Sequence, residues 1–354
     1  MGKVIISGLE PGFGGVPRFL EYLDPSIHII CPRKIDKKGR VVNKFHKYLL
    51  WLKDIVVSRK RHAILMHHNS IPTPYLIIIY LIYKHVQYFA IDNSYFCNKS
   101  YNVLSGKACL LCLGNLGASS VINRCRNFPA VKNILSAFVD RLIVRKICQN
   151  TVVYSLSDAS SSLIGRNFGT RAITVGFSTI ELRNELSRSH TIVSSVKKNI
   201  VFHGSNNEAK GFLYAINLAN EMVDHEFIFP MRKPSEMECS PNCTFLDVRW
   251  ETGLSGLIEN ALFVLCPSTW SYTPEAAMLK SFILNDNVGF FEIENSFSDN
   301  IPENLGLRLS GDIVNDASRI RDNILGVSKT NLGKSFVSNF LDQSDNSIKK
   351  HLLD

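Results

Sequence analysis

The sequence contains no apolar run long enough to cross a membrane: the longest, Tyr75 to Tyr83, is about half of the ~20 residues a span requires. It shows no leader pattern at its start either, because Gly2-Lys3 runs directly into Val4-Ile5-Ile6, with Pro11-Gly12 close behind. These two absences predict a cytoplasmic, non-spanning protein. There is no G-x-G-x-x-G dinucleotide fingerprint, no internal repeat and no low-complexity tract, so a solenoid or a disordered tail is not expected. Acidic residues are scarce in the first half: residues 1–190 hold 26 Lys+Arg against 10 Asp+Glu, whereas residues 191–354 hold 14 against 21. A half with that excess attracts nucleic acid, an anionic membrane surface or an anionic substrate. The membrane option extends the expected location to the periphery of the inner face.

What the chain does have is length and apolar content. With 354 residues, 45% of them hydrophobic, it can bury a large core and is expected to split into two domains. The first is expected over residues 1–178, a linker over 179–197 where periodicity gives way to Ser and charge, and a second domain over 198–328. A helical tail over 329–354 is expected to cross back toward the first domain.

The first domain reads as six strand–helix units. Strand patterns lie at Val4–Leu9, Ile27–Cys31, His62–His68, Tyr88–Asp92, Thr151–Ser157 and Ala172–Gly176. The first strand runs into Pro11-Gly-Phe-Gly-Gly15, whose Gly14 and Gly15 would let backbone approach a ligand closely. Residues 44–61 read as a helix packed through Phe45, Leu49, Leu52 and Val56, with its basic residues on the solvated side or on a membrane surface. Polar residues close two of the strands, His67-His68 and Asp92-Asn93-Ser94, at the edge where parallel sheets assemble sites. His67 and Asp92 are therefore candidates.

A stretch at about 94–127 interrupts this rhythm. Cys97, Cys109, Cys112 and Cys125 are spaced C-x11-C-x2-C-x12-C. Nine cysteines without an export signal argue for thiols or metal ligands, and four in one excursion fit a structural zinc or an iron–sulfur site that clips a long loop. The alternative is that Cys109 and Cys112 are small buried apolar residues.

The second domain opens with a strand at Asn199–His203 and a polar turn from Gly204 to Lys210-Gly211 before a helix. Its most informative stretch is 262–281, LFVLCPSTWSYTPEAAMLKS. The apolar run Leu262–Leu265 is a buried strand that Pro267 ends. Thr273 is read as an N-cap, Pro274 as the first helical residue, and Glu275 as a first-turn carboxylate favoured by the helix dipole. Such a helix start at the carboxyl edge of a sheet faces anions.

Across 199–290 these residues resemble the retaining, group-one nucleotide-sugar glycosyltransferases. His203-Gly204, Lys210-Gly211, Leu257-Ile-Glu-Asn-Ala261, Pro267-Ser268 and Glu275 reproduce that family's succession of motifs. The resemblance implies a GT-B fold: α/β, with two doubly wound Rossmann-like domains facing a central cleft. It implies that Lys210 neutralises the diphosphate of a nucleotide-sugar donor of UDP or GDP type and that Glu275 binds the ribose hydroxyls. Gly204, Gly211 and Ser268 would line the donor, Gly14 and Gly15 would sit beside its phosphates, and Asp92 or His67 would face the acceptor. No catalytic metal is implied. The family carries a further glutamate eight positions before the ribose-binding one, with seven residues between the two, in a turn about four residues longer. Pro267 occupies the nearest position here, leaving Ser271, Tyr272 and Thr273 to take that role.

The expected activity is transfer of a sugar to a glycan or lipid-linked acceptor in surface polysaccharide synthesis. The rivals are a non-catalytic sugar- or partner-binding protein of the same fold, and a zinc-containing nucleic-acid binder. The last is disfavoured because the basic residues are not interleaved with a reading motif, so no nucleic-acid partner is expected.

Overall fold

The computed structural model of the chain describes residues 3–12, 15–23, 27–32, 44–59, 61–125, 134–188, 199–270, 274–293, 296–326 and 331–353. These divide into two compact units. The first comprises residues 1–102, 109–180 and 343–354, and the second residues 103–108 and 181–342.

In the first unit the chain runs β1 (Lys3–Ser7), α1 (Gly15–Tyr22), β2 (His28–Ile30), α2 (Lys44–Val57), β3 (His62–Met66), α3 (Thr73–Ile82) and β4 (Val86–Ala90). A two-stranded hairpin, β5 (Val103–Leu104) and β6 (Lys107–Ala108), belongs by its contacts to the second unit. Then follow α4 (Ser119–Ile122), α5 (Ile134–Asn150), β7 (Val153–Ser155), α6 (Asp158–Phe168) and β8 (Ala172–Thr174). Six strands form one parallel sheet in the order β2-β1-β3-β4-β7-β8. Val4, Ile5, Ile6 and the run Ala63–Met66 are fully buried, as expected of parallel strands covered on both faces. The chain steps from β1 to β2 in one direction and thereafter in the other. Right-handed crossovers therefore put α1 on one face and α2, α3, α5 and α6 on the opposite one.

The last residues join this unit. Ser344 Oγ accepts from the Phe177 amide at 3.2 Å, Ser347 Oγ donates to the Thr174 carbonyl at 3.1 Å, and Tyr22 donates to Asp345.

One packing expectation fails on α2. Trp51 and Ile55 are its buried residues, and Trp51 stacks on Tyr75 of α3 at 5.0 Å, whereas Leu49 and Val56 are exposed. The large indole, rather than the more numerous aliphatic positions, selects which face packs. Phe45 lies among the side chains outside the description.

The second unit begins with α7 (Ile180–Ser187), a helix inside the stretch read as a linker. It continues through β9 (Asn199–Phe202), α8 (Phe212–Glu221), β10 (Glu226–Phe229), β11 (Cys243–Phe245), α9 (Leu254–Glu259), β12 (Phe263–Cys266), α10 (Ala276–Leu284), β13 (Val288–Phe291), β14 (Leu307–Leu309), α11 (Ile313–Gly326) and α12 (Leu332–Ile348), whose residues from Gln343 on count with the first unit. Its sheet is again parallel and six-stranded, ordered β11-β10-β9-β12-β13-β14. The edge strand β14 was not legible as a strand. Its three residues follow Gly306, with φ +69°, inside an irregular stretch. Phe202, Phe212, Phe229 and Phe263 centre the core.

Candidate functional site

Strand order reverses at the boundary between β9 and β12, and ligands of open parallel sheets bind outside the carboxyl ends of the strands at such a point. The two ends are tied together, since the His203 amide donates to the Leu265 carbonyl at 2.9 Å. After β9 the chain forms a turn whose Asn207 side chain accepts from the Ala209 amide at 2.8 Å, and a single 3-10 turn, Glu208–Lys210, leads to Gly211. Gly211 has φ +69°, and a Cβ there would lie 2.1 Å from the Pro267 carbonyl oxygen. Only glycine permits this approach of the two loops.

The loop after β12 is fastened to the same turn. The Ala209 carbonyl accepts from Thr269 N at 3.0 Å and from Ser268 Oγ at 3.1 Å. Lys210 and Glu275, which are 65 residues apart in sequence, are thereby brought together: Lys210 Nζ donates to Glu275 Oε1, and both side chains are mostly buried. The ammonium also lies 4.6 Å from the Trp270 ring centroid, a cation–π contact. Glu275 is the N-cap residue of α10, with φ −101° and ψ 116°, rather than a first-turn residue. Its carboxylate makes no cap hydrogen bond because it is turned to Lys210. Ser271 and Thr273 lie outside the described residues, as does Gly14. Gly15 begins α1 with open space around it, and Gly204 directly follows His203.

Beside Glu275 lies a small recess with room for about one water molecule. Cys266, Ser268, Trp270, Phe290, Phe297 and Ser298 line it. Burial pushes the Cys266 thiol up to about 12, so it remains protonated.

Behind the Lys210–Glu275 pair lies a second cluster that the sequence reading did not collect. His203 stacks on Trp250 at 5.5 Å and 16°, with Nδ1 2.8 Å from Ser281 Oγ. Lys280 is buried, pairs with Glu181 at 2.8 Å and sits 4.3 Å from the Trp250 ring centroid. Trp250 Nε1 donates to Glu185 Oε2 at 3.0 Å. Burial, then the charges of Lys280 and Lys210, depress the His203 imidazole to about 3, which keeps it neutral. The available signal was a lone lysine in the apolar run Ala276–Leu284.

In the first unit, His67 and Asp92 also meet. His67 adopts a left-handed backbone, φ 51° and ψ 57°, a conformation uncommon outside glycine, and its Nε2 is 3.3 Å from Asp92 Oδ2. Asp92 caps the turn at 93–95 by accepting from the Ser94 amide at 3.0 Å. Burial raises its pKa, but the charge and hydrogen bond of His67 and the bonds from Ser94 outweigh that and hold it below the usual carboxylate value. His67 Nδ1 is buried without a partner among the described residues. His68 is built in differently, its Nδ1 2.9 Å from the Tyr88 hydroxyl.

The expected metal centre is not assembled. Among the described residues, which include Cys97, Cys109, Cys112 and Cys125, no group of three or more His, Cys, Asp or Glu side chains is placed to hold a metal ion. The excursion is organised instead by a buried guanidinium: Arg141 donates to the carbonyls of Leu116 and Ser94 and to Asn98 Oδ1. Burial pushes the Cys97 thiol up to about 11 in spite of Arg141 nearby. A fixed cation among the thiols opposes a second one.

No family model matches the chain, and no curated protein matches it in sequence. Solved structures do match across its whole length. Sucrose-phosphate synthase from Thermosynechococcus elongatus superposes with a TM-score of 0.62 at 12% identity, covering 99% of this chain and 98% of the other. HepE from Anabaena, solved with UDP-glucose, gives 0.56 at 13% identity, covering 98% and 99%. An alpha-glucosyltransferase solved with UDP and a 13-mer DNA gives 0.54 at 13% identity, covering 99% and 98%. At these identities the likeness is one of fold, and the fold is that of the GT-B glycosyltransferases.

Proposed function

We propose that the chain is a retaining glycosyltransferase that uses a UDP-sugar donor. The observation that carries this reading is the Lys210–Glu275 pair at the switch point of the second sheet, capped by Trp270. A cation and a helix N-terminus at the same edge suit a diphosphate, and a carboxylate one ion pair away suits the vicinal hydroxyls of ribose. UDP is favoured because the whole-length structural neighbours include proteins solved with UDP or UDP-glucose.

In the proposed reaction the bond between the sugar C1 and the β-phosphate oxygen breaks, its electron pair leaving with UDP. A bond from C1 to an acceptor hydroxyl oxygen forms on the same face, and the hydroxyl gives its proton to the departing β-phosphate oxygen. Lys210 stabilises the charge that develops on the departing phosphate, a fixed cation worth most where charge appears in the transition state. Glu275 orients the nucleoside through ribose. For the acceptor, a glycan or lipid-linked glycan, the paired side chains of His67 and Asp92 are the first unit's candidates.

UDP release from a panel of UDP-sugars, with and without glycan acceptors, tests this reading. Turnover that disappears in Lys210→Ala is the expected result, and unchanged turnover in that variant would overturn it. Pro267, standing near the position of the family's sugar-reading glutamate, favours one alternative: a protein of the same fold that binds UDP-sugar without turning it over. Calorimetric binding of UDP with no UDP release across the panel would select it.

A further inference from the structure

Helix α3 has the composition of a buried helix: TPYLIIIYLI carries no charge and is apolar on every side. Yet only Leu76 and Ile79 are buried, while Ile77 and Leu81, four residues apart on one face, are exposed, Leu81 by 73%. At ten residues, α3 is about half the length a membrane span requires, and no described helix is long and apolar enough to cross a membrane. The exposed apolar stripe is not confined to α3. It packs between α2 and α5, which present Val57 at 71% and Leu135 at 71% exposure, with Leu49 and Phe138 alongside. Isolated exposed leucines mean little, but three adjacent helices on one face of one sheet, each with an outward apolar stripe, mark an interaction surface.

The charge around it identifies the occupant. Between residues 55 and 157 the sequence has 12 Lys+Arg and only two acids, Asp92 and Asp140, and both acids are buried. Lys53, Arg59, Arg61, Lys84 and Lys146 are exposed on or beside the three helices, with Asp54 the exposed acid among them. A two-fold contact with a second copy would set these cations against themselves. We propose that the outer face of α2, α3 and α5 docks on an anionic lipid bilayer, its aliphatic side chains entering the headgroup–acyl boundary and its cations meeting lipid phosphates. The proposal extends the idea of a basic half near a membrane from one helix, and from a different face of that helix, to a three-helix surface. It is independent of the donor chemistry.

Co-sedimentation of the full chain with phosphatidylcholine vesicles, and with mixed phosphatidylcholine–phosphatidylglycerol vesicles, tests it. The expected result is at least tenfold stronger partitioning to the anionic vesicles, each cation near the surface contributing about fivefold, with the preference weakening as salt rises. Leu81→Glu combined with Leu135→Glu should reduce that partitioning at least tenfold, with thermal midpoint and elution volume unchanged, because both side chains face solvent. Lys53→Glu with Lys84→Glu should reduce the anionic preference. Equal partitioning to both vesicle types, or binding indifferent to the aliphatic substitutions, overturns the proposal. So does a dimer that Leu81→Glu dissociates in a protein that binds no vesicles. No donor is present in these measurements, so absence of glycosyl transfer leaves their outcome intact.

Discussion

Lys210 and Glu275 neutralise one another in the free protein, so under the proposed function a donor diphosphate competes with a carboxylate for the ammonium. This sets two expectations. In Lys210→Ala, UDP release should fall about 100- to 1000-fold, the usual loss when one fixed transition-state donor is removed. The Glu275 carboxylate left behind should cost about 1–3 kcal/mol of stability. In Glu275→Gln the ammonium is released, so inorganic diphosphate should bind as tightly as before or more tightly, while UDP, deprived of its ribose contact, should bind more weakly. Parallel titrations with diphosphate and UDP measure the split. Equal changes for the two ligands would remove Glu275 from the ribose.

Gly211 and Gly169 separate two reasons for glycine. Both have left-handed φ, +69° and +71°, but a Cβ on Gly169 meets nothing within 4 Å, whereas one on Gly211 runs into Pro267. Gly169→Ala should therefore cost only its backbone conformation, about 1 kcal/mol in urea unfolding. Gly211→Ala should cost more, because the two loops must part, and it should lower UDP release by displacing Lys210. A Gly211→Ala protein with the stability and turnover of Gly169→Ala would show that the loops accommodate the methyl group.

The cysteine-rich excursion should depend on Arg141 rather than on a metal. Arg141→Met strands the carbonyls of Leu116 and Ser94, at about 1–3 kcal/mol for each group left buried without a partner. Cys109→Ser should have a small effect by comparison, since that thiol is only partly buried. A chelator should leave the thermal midpoint where it was. A chelator-induced drop, or half an equivalent of zinc in freshly purified protein, would restore the metal reading.

Periodicity made both parallel sheets legible, because buried parallel strands are near-continuous apolar runs between helical patterns. Lys210 and Glu275 could be singled out as candidates, though not their pairing. A carboxylate at a helix start after one buried strand and a Lys-Gly after another are local patterns, and the parallel fold brings their ends together. What could not be read were choices made by tertiary packing. Trp51 decides the buried face of α2 against Leu49 and Val56, and Glu275 stands at the N-cap of α10 with its carboxylate turned to Lys210 instead of capping. Arg141 was inconspicuous, one cation among many in a basic half, although it is buried near Cys97 and Cys112 and bonds Leu116, Ser94 and Asn98. Trp250, Lys280 and Glu181 are scattered over 100 residues and meet only after α7 packs on its unit.

His203 offers a test of that buried cluster through pH. Its imidazole is depressed to about 3 in the folded chain, from an ordinary value of 6.5, because burial and the ammonium groups of Lys280 and Lys210 oppose a further positive charge. Below pH 6.5 the unfolded chain takes up a proton on this ring while the native chain does not, so proton uptake favours unfolding. The stabilising contribution of neutral His203 is therefore complete above pH 6.5 and declines as pH falls toward 3. Thermal midpoints followed from neutral pH down to about pH 4 should fall in the wild-type chain. His203→Gln loses the stacking on Trp250 and should start from a lower midpoint. It carries no proton to be taken up, however, so its midpoint should decline less steeply over the same range. Parallel curves for the two proteins would mean that His203 titrates normally and that the lysines do not hold it neutral.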